Sequence, residues 1–521
     1  MNIKNHIKTL CLITSIVSSM FGISGCHFKG DSTIYNPNVE KNETSNILEI
    51  SKIVFTDTAT VFYFDAYHCT NSGCWFSIAE KTVLQGSHQT YKITGCDGIE
   101  LGTRIQVSES GHLAFVLYFE PVDKSEKTVD FKEGDNAGGF FITGIKLFKE
   151  SKQPNLAVKC TLKGEVIDRP QSSRLMLLKY GADPRTIQWI SIPIRNGKFE
   201  YILNCNYEEL YELIFYDEWS QGGWRPVNFI SEHGVINFEL YPFEQFEKTI
   251  VEGGKLNKEY MDYKNDISNK YSELKPNKSI DKKVKQQINE NGWIHFDKYP
   301  LFLQIVREDS LYQEWLRWKI QYIRERSDIV GYSILVSEAR EEKDKINDFS
   351  LYADVFQTVF EPKYSNHPYT AQMIDLLTGS LLKPGLPFID FTAVDFTGKP
   401  VKLSERIAGK PTVLHLWASW CGPCRKKGKE LIPVYEEFRD KGFVVVGVAR
   451  EKNTSVAAET AVKMDKYPWE NLVELNDIEQ IWVKYGIGNA GGGDFLIDEN
   501  GIIVAVSPSI DEIRDFLTNK R

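Results

Sequence analysis

Near the end of this 521-residue chain, a short apolar run leads straight into a pair of cysteines. The run is "TVLHLW", residues 412–417, and the sequence continues "ASWCGPCRKKGKEL", in which two residues separate Cys421 from Cys424. A run of this length is typical of a buried strand, and the residues after the cysteines have helical spacing. A cysteine pair that opens a helix directly after a strand predicts a redox dithiol.

Strand and helix patterns alternate around this motif. After a helix that runs to Phe438 come the strand "FVVVGVA", a helical stretch, "DIEQIWVKYGI", the strand "DFLID", the turn "ENG", the strand "IIVAV" and a final helix. Alternating segments that close on a hairpin predict an α/β fold with a mixed central sheet.

Residues 383–521 resemble a TlpA-like thioredoxin domain of the thiol:disulfide oxidoreductases, within the AhpC/TSA-redoxin superfamily and of the Bacteroidetes lipoprotein type. The motifs that carry the resemblance are "PFIDFTAVDFTGKPVKLSE", "VLHLWASWCGPCRK" and "FLIDENG". The resemblance implies that Cys421 attacks a substrate disulfide and that Cys424 resolves the mixed disulfide. It also implies protein disulfides as substrates, reduction as the direction and a membrane protein as a candidate electron donor. No cofactor is expected.

The residues next to the dithiol also have expected roles. Gly422 and Pro423 keep the loop between the cysteines tight, since proline is tolerated in a first helical turn. Trp420 is expected to cover one side of the site. A permanent disulfide or a zinc site would be the alternative to redox chemistry. Zinc needs more ligands, and no second cysteine pair or nearby histidine stands at a suitable spacing, so no metal is predicted.

Two positions depart from the family pattern. His415 occupies the strand position where thioredoxins carry a buried acid, and it could relay a proton to or from Cys424. The alternative is a buried histidine bonded to the backbone. Gly492 stands where the family usually places a cis-proline that faces the dithiol. Glycine would still let a substrate backbone approach closely, but it would hold that backbone less rigidly.

A basic cluster follows the dithiol and consists of Arg425, Lys426, Lys427 and Lys429. It could lower the pKa of the attacking thiol and make the couple more oxidising, or it is a solvated helix face. One rival to a disulfide reductase is therefore a disulfide oxidase or isomerase. A rival from a different class is a cell-envelope binding lipoprotein whose dithiol is vestigial.

Residues 1–25 resemble a bacterial lipoprotein signal, with a basic start, an apolar run and the ending "ISGC". The resemblance implies cleavage before Cys26, acylation of this cysteine and a stable lipid anchor. An ordinary secretory peptide is the alternative, and both place the chain outside the cytoplasm, where disulfides persist. No later stretch is long and apolar enough to span a membrane. No acidic cluster of the kind linked to surface export in Bacteroidetes follows Cys26, which favours an envelope protein facing the periplasm.

The chain is long enough for three or four domains of roughly 150 residues. Residues 26–47 predict a polar tether, 48–150 an all-β domain, 154–245 a β-sandwich-like domain and 250–376 a helical connector, ahead of the α/β thioredoxin fold. The strand pattern of 154–245 and its "NGKF" resemble the β-sandwich domain often found ahead of thioredoxin-like domains in Bacteroidetes lipoproteins. A net charge of −9 argues against a nucleic-acid partner, because phosphate binding needs a basic surface.

The remaining cysteines leave alternatives open. Cys69 and Cys74 flank the turn signal "TNSG", so a hairpin disulfide is one interpretation. Cys160 and Cys205 each lie on the apolar face of a predicted strand, and they are either a disulfide or two buried thiols. Cys96 has no evident partner.

Overall fold

The computed structural model of the chain describes residues 33–519, except 36, 38, 40, 43, 45–46, 68–74, 107–111, 135–138, 148–157, 275–305, 307–308, 343–348 and 490. The predicted signal segment, its Cys26 and the predicted Cys69–Cys74 disulfide lie outside the described residues. Within the described part of the chain, no helix is long and apolar enough to cross a membrane. The described residues divide into two compact units, one built from strands between 33 and 146 and one from residue 158 onward.

The first unit is a nine-stranded sheet with the strand order β1-β3-β4-β9-β7-β6-β10-β11-β2, accompanied by the small pair β5 and β8. Buried phenylalanine rings fill its centre, with Phe62 packed 5.5 Å from Phe119 and Phe64 5.1 Å from Phe131 between ring centroids. Its strands are β1 (Thr33–Tyr35), β2 (Lys41–Asn42), β3 (Leu48–Phe55), β4 (Thr60–Tyr67), β5 (Trp75–Phe76), β6 (Val83–Gln85), β7 (Thr90–Asp97), β8 (Ile105–Gln106), β9 (His112–Phe119), β10 (Thr128–Lys132) and β11 (Phe141–Lys146).

Part of the predicted tether belongs to this sheet, which corrects the expectation of a free polar linker over residues 26–47. Strand β1 pairs with β3 and strand β2 pairs with β11, both antiparallel. The side chain of Ile34 in β1 is buried. Edge strands this short need little apolar sequence, because the backbone hydrogen bonds of one neighbour hold them. The polar composition therefore predicted a free linker, whereas strands β1 and β2 of this segment pair with the sheet.

The second unit begins with two four-stranded sheets, in the orders β15-β12-β18-β19 and β14-β13-β16-β17, that share one apolar core. The core takes its side chains from alternate positions of β12 and β15, as the sequence pattern predicts: Val158, Cys160, Leu162, Phe199, Leu203 and Cys205 are all buried. The elements are β12 (Val158–Val166), β13 (Arg174–Lys179), β14 (Ile190–Pro193), β15 (Lys198–Cys205), β16 (Leu210–Phe215), α1 (Tyr216–Ser220), β17 (Val227–Ile230), β18 (Gly234–Leu240), a 3₁₀ turn (Phe243–Lys248) and β19 (Ile250–Glu252).

Two of the cysteines left open by the sequence are free thiols in this sandwich core. Burial raises the pKa of Cys160 to about 11 and raises the pKa of Cys205 as well. Of the two alternatives, the structure contains the pair of buried thiols, and such thiols are poor nucleophiles because little thiolate forms.

Helices follow the sandwich and pack around a common apolar core. Lys319 is fully buried in this region, where its ammonium group bonds to the carboxylates of Glu338 and Glu342. The helices are α2 (Lys255–Leu274), α3 (Ser310–Glu325), α4 (Ile329–Glu342), α5 (Ser350–Val355), a π-helical turn (Phe356–Phe360), α6 (Glu361–Tyr364) and α7 (Pro368–Ser380). Helices α2 to α6 lie within the range 250–376 predicted as a helical connector, and α7 extends past it to Ser380.

The C-terminal part is a seven-stranded mixed sheet in the order β21-β20-β24-β23-β22-β25-β26, flanked by helices. Strands β22, β23 and β24 run parallel, and β25 and β26 form the predicted closing hairpin. The elements are β20 (Thr392–Asp395), β21 (Pro400–Lys402), α8 (Leu403–Ile407), β22 (Thr412–Trp417), α9 (Gly422–Phe438), a 3₁₀ turn (Arg439–Lys441), β23 (Val444–Glu451), α10 (Val456–Asp465), β24 (Glu470–Leu475), α11 (Ile481–Lys484), β25 (Gly493–Ile497), β26 (Ile503–Val506) and α12 (Ile510–Asn519).

Strand β24 is one of the elements that the sequence pattern missed. Its apolar run is interrupted by Glu474, which is buried. One carboxylate oxygen of Glu474 accepts the backbone N–H of Ile481 at 3.1 Å, and the other has no partner among the described residues. Burial raises the pKa of Glu474 to about 7, with nearby Asp477 as a second cause. A buried acid inside a strand hides that strand from a search for apolar runs.

We predict that replacing Glu474 by glutamine stabilises the chain at alkaline pH. A carboxyl group whose pKa is raised on folding stabilises the fold at low pH, and this stability is lost as pH rises from about 4.5 to about 7. Glu474→Gln keeps an acceptor for Ile481 but cannot ionise. The gain of this variant in free energy of unfolding over wild type should grow from near zero at low pH to about 3 kcal/mol above neutrality.

The measurement is urea unfolding near pH 5 and near pH 8. Glu470→Gln is the matched control, because Glu470 lies on the same strand in a partly exposed ion pair with Arg406. An exposed pair changes stability by less than about 1 kcal/mol at either pH. An equal stability difference at both pH values for Glu474→Gln would contradict the role assigned to ionisation.

Candidate active site around Cys421 and Cys424

The two cysteines lie where strand β22 passes into helix α9. Cys421 is the N-cap residue of α9, and Cys424 lies in its first turn. They form a disulfide with Cα atoms 5.3 Å apart, and the backbone N–H of Cys424 points to the Cys421 sulfur at 3.3 Å. The first turn of the helix carries no acidic residue. Unpaired N–H groups and the helix dipole therefore favour a thiolate at Cys421 in the reduced state.

Gly422, Pro423 and Trp420 occupy the predicted positions next to the cysteines. Gly422 and Pro423 are exposed and begin the helix. Trp420 is half-buried, and the guanidinium carbon of Arg185 lies 3.9 Å from the centre of its ring. Arg185 belongs to the β-sandwich, so a second domain contributes to the site. No sequence motif near Arg185 indicates this contact.

The turn before Cys421 is fixed by an acid that sequence reasoning missed. The backbone N–H and the hydroxyl of Ser419 donate to the two carboxylate oxygens of Glu451, at 2.7 and 3.0 Å. Glu451 ends strand β23 and is buried, and burial raises its pKa. Glu451 therefore holds the turn that aims Cys421. The sequence did contain a signal for this role, because Glu451 is an acid that closely follows the apolar run 444–449.

Gly492 does lie against the dithiol. A Cβ atom built on Gly492 would lie 1.9 Å from the carbonyl oxygen of Leu416 and 3.0 Å from the Cys424 sulfur. The neighbouring carbonyl of Gly491 accepts a hydrogen bond from the Trp482 indole at 2.9 Å. No cis peptide bond occurs among the described residues. The close approach that the family makes with proline is made here by a residue without a side chain.

His415 is buried, with 1% of its surface exposed, and it bonds to a carboxylate. Its Nδ1 lies 2.6 Å from Oδ1 of Asp494, which stands opposite it on strand β25. The alternative of a histidine bonded to the backbone is therefore wrong. The other ring nitrogen, Nε2, has no partner among the described residues. His415 stacks near Trp417, whose apolar cluster also contacts Cys424, so the imidazole lies on the sheet face that carries helix α9.

The basic cluster after the dithiol is largely paired. Arg425 forms two hydrogen bonds with Asp465, at 2.6 and 3.1 Å, and Lys429 lies 3.6 Å from the same carboxylate. The Lys427 ammonium donates to the carbonyl of Pro508 at 2.8 Å. Beside Arg425 the pKa of Asp465 is lowered, which keeps the acid ionised. The cluster is thus neutralised in part by its own contacts, and this weakens its use as a source of thiolate stabilisation.

Comparison with known proteins agrees with this geometry. Residues 384–506 match the family model described as the AhpC/TSA family. This C-terminal part of the chain is therefore similar to the AhpC/TSA family, and it is called the redoxin domain below. The redoxin domain accounts for about a quarter of the chain, and the domains ahead of it lie outside the match.

Two curated relatives illustrate the similarity. Over 117 residues the chain is 34% identical to the thiol-disulfide oxidoreductase ResA of Bacillus subtilis (strain 168), covering 22% of this chain and 63% of the relative. Over 115 residues it is 28% identical to ResA of Bacillus thuringiensis (strain Al Hakam), covering 22% of this chain and 64% of the relative. The chain thus spans less than two thirds of the length of these relatives.

A solved structure is also similar to this domain. It is the thioredoxin domain of a thiol-disulfide oxidoreductase from Bacteroides vulgatus, with 26% identity, a TM-score of 0.25, and coverage of 27% of this chain and 98% of that one.

We predict that Gly492→Ala impairs the dithiol, whereas Gly491→Ala does not. The added methyl at Gly492 must push the segment away from Leu416 and Cys424, whereas a Cβ at Gly491 meets no atom within 4 Å. Overpacking of this kind costs about 1–3 kcal/mol. The rate of disulfide reduction by Gly492→Ala should fall about tenfold, because small displacements of reacting groups are costly. The measurement is insulin reduction together with urea unfolding; equal behaviour of the two variants would refute the close approach.

Proposed function

We propose that this protein is a thiol:disulfide oxidoreductase that reduces protein disulfides through Cys421 and Cys424. The observation that carries the proposal is the cysteine pair at the start of helix α9, with the N–H of Cys424 aimed at the Cys421 sulfur. The curated relatives whose names describe thiol-disulfide oxidoreductases support the same chemistry. Both the local geometry and the similarity favour a working dithiol over a vestigial one.

The proposed reaction has two exchange steps. In the first, the Cys421 thiolate attacks one sulfur of the substrate disulfide, an S–S bond forms between them, and the second substrate sulfur leaves as a thiolate that takes up a proton. In the second, Cys424 loses its proton and attacks the Cys421 sulfur, which releases the first substrate sulfur as a thiol. The substrate gains two electrons and two protons, and the domain is left as the Cys421–Cys424 disulfide. An external dithiol protein of the membrane is the proposed reductant that restores it.

His415 and Asp494 are proposed to move the proton in the second step. When the Nδ1–H of His415 donates to Asp494, the lone pair of Nε2 is free to accept a proton. The imidazole lies on the face of the sheet that carries Cys424. Cys424 is partly buried, so its thiol needs a base to become a nucleophile. Asp494 would fix the tautomer, as the acid does in other carboxylate–histidine pairs.

The contacts of the basic cluster favour reduction of substrate disulfides over their formation. Arg425 and Lys429 share Asp465, and Lys427 binds a carbonyl oxygen. A strong oxidant requires that the reduced thiolate be stabilised, and the contacts with Asp465 offset part of the positive charge that could provide this stabilisation. A reduction potential near or below about −230 mV is the corresponding expectation for the pair.

The proposed location is the cell envelope, with the chain anchored through acylated Cys26 and facing the periplasm. This part of the proposal is supported by the resemblance of residues 1–25 to a lipoprotein signal. Labelling with radioactive palmitate and its loss in Cys26→Ala would test the anchor.

Serine substitutions at the two cysteines should have different outcomes. Cys421→Ser should abolish insulin reduction, because the attacking thiolate is gone. Cys424→Ser should also stop turnover, but it should accumulate a mixed disulfide with the substrate, since the first step remains. Non-reducing gels and mass spectrometry measure the adduct. Cys160→Ser, at a buried thiol of another domain, is the control and should retain turnover. Retention of the cellular role by Cys421→Ser would instead favour the binding-lipoprotein alternative.

The proton relay predicts a selective defect in Asp494→Asn. An asparagine amide can donate to Nδ1 of His415, which places the imidazole proton on Nε2 and removes the base. Resolution of the mixed disulfide should slow by about tenfold or more, the scale of a lost general base. Alkylation of Cys421 should stay unchanged. Rapid-quench analysis of the mixed disulfide separates the steps; Asp515→Asn, on the exposed face of α12, is the control. Equal slowing of both steps would rule out the relay.

A further inference from the structure

The segment of the β-sandwich between strands β13 and β14 touches both flanks of the dithiol site. We call residues 181–189, "GADPRTIQW", the docking loop. On one flank the docking loop reaches Trp420, the residue before Cys421. On the other flank it reaches Asn489. Shortly after Asn489 comes the glycine segment, residues 491–493, in which Gly492 lies against Cys424.

Arg185 is the residue of the docking loop that makes both contacts. Its guanidinium lies over the Trp420 ring, 3.9 Å from the centroid, and its Nη2 donates to the carbonyl oxygen of Asn489 at 2.7 Å. Two further hydrogen bonds, at 2.9 and 2.7 Å, join it to the carboxylate of Asp183. The carboxylate of Asp183 offsets the positive charge of Arg185. Arg185 therefore affects the site through the position of its side chain more than through its electric field.

The docking loop is fixed to the redoxin domain by a network of buried polar groups. Arg450, 3% exposed, forms hydrogen bonds of 2.6 and 2.7 Å to Asp477 and lies 3.9 Å from Asp183, which is 2% exposed. The hydroxyl of Thr186 donates to Asp477 at 2.6 Å. Asn489 receives the Arg450 guanidinium on its Oδ1 at 3.3 Å. Buried charges are costly unless paired, so this network specifies one arrangement of the two domains.

The glycine segment gains rigidity from the same contacts. Gly491 and Gly492 have wide conformational freedom of their own. Asn489, just before them, is held at its carbonyl by Arg185, and its side-chain amide donates to the carbonyl of Gly181 at 3.2 Å. The docking loop therefore restrains one wall of the site, and Trp420 forms the other.

Cys421 is only 5% exposed in this arrangement. We propose that the docking loop is a specificity-determining element: with Arg185 in place, it admits disulfides of small molecules and of extended chain segments and excludes those set in folded surfaces. This inference rests on the proposed disulfide chemistry of Cys421. Arg185 is a positioning residue in this scheme, because it acts through Trp420 and Asn489.

The test compares access to Cys421 for two reagents with one reactive group and different sizes. The full chain is reduced, desalted and treated with N-ethylmaleimide or with a long polyethylene-glycol maleimide, and modification of Cys421 is followed by peptide mass spectrometry. In Arg185→Ala the rate with the bulky maleimide should rise about fivefold or more relative to the small one. Losing a cation–π contact and a charge-assisted hydrogen bond should shift an opening equilibrium by at least this factor.

Two further variants complete the test. Asn489→Ala keeps the backbone carbonyl that Arg185 binds, but it removes the side-chain amide that bonds to Gly181 and Arg450 and holds that carbonyl in place. It should raise the same ratio, and it serves as the second variant if Arg185→Ala folds poorly. Arg225→Ala is the matched control, because Arg225 also pairs with an acid, Glu218, and stacks on a ring, Phe243, within the β-sandwich. Its ratio should equal that of wild type. An unchanged ratio in both Arg185→Ala and Asn489→Ala would overturn the proposal, and so would an equal rise with both reagents.

The outcomes also separate this inference from the proposed function. Maleimide labelling needs no turnover, so it reports access to Cys421 even if the chain reduces no disulfide. Failure of wild type to reduce both insulin and hydroxyethyl disulfide would overturn the proposed function. A changed preference between these two disulfides in Arg185→Ala, towards insulin, supports the docking loop as the determinant of specificity.

Discussion

The pairing of strand β22 with its two neighbours determines where the dithiol, His415 and Gly492 lie. All six residues of β22 are buried, and the strand pairs parallel with β23 and antiparallel with β25. The register with β25 places His415 opposite Asp494 and Leu416 opposite Gly493. A slip of one residue would turn His415 to the other face of the sheet. The histidine–acid pair and the approach of Gly492 to Cys424 thus depend on one register, set by apolar burial.

The local parts of the site could be predicted from sequence because their signals lie close together in the chain. Strand β22 and the start of α9 agree with the predicted strand and helix, and Cys421 and Cys424 are joined by a disulfide. Gly492 was identified by comparison with the family motif, and the structure brings it to the Cys424 sulfur. Strand, helix and turn are encoded over a few residues each, which is the range that periodicity and turn chemistry can resolve.

The partners of these residues could not be predicted, because they come from distant parts of the chain. Asp494 is 79 residues from His415, and only the strand register joins them. Glu451 holds Ser419 from the end of another strand, 32 residues further along the chain. The lysines after Cys424 suggested a positive field, but their acceptors, Asp465 and Pro508, follow tens of residues later. A charge pattern along one helix does not reveal the charges that other elements bring to it.

The contact between the β-sandwich and the redoxin domain offers a physical reason for carrying a dithiol at the end of a long chain. Thr186 and Asp477 are 291 residues apart in sequence, yet they share a hydrogen bond beside the buried Arg450. Buried ions seldom add much stability, but they disfavour arrangements that leave a charge unpaired. The network therefore fixes the docking loop, and the docking loop fixes Arg185 over Trp420. The chemistry of Cys421 is local to one helix, whereas access to it is decided by another domain. Measurements on the redoxin domain alone would then report the first and miss the second.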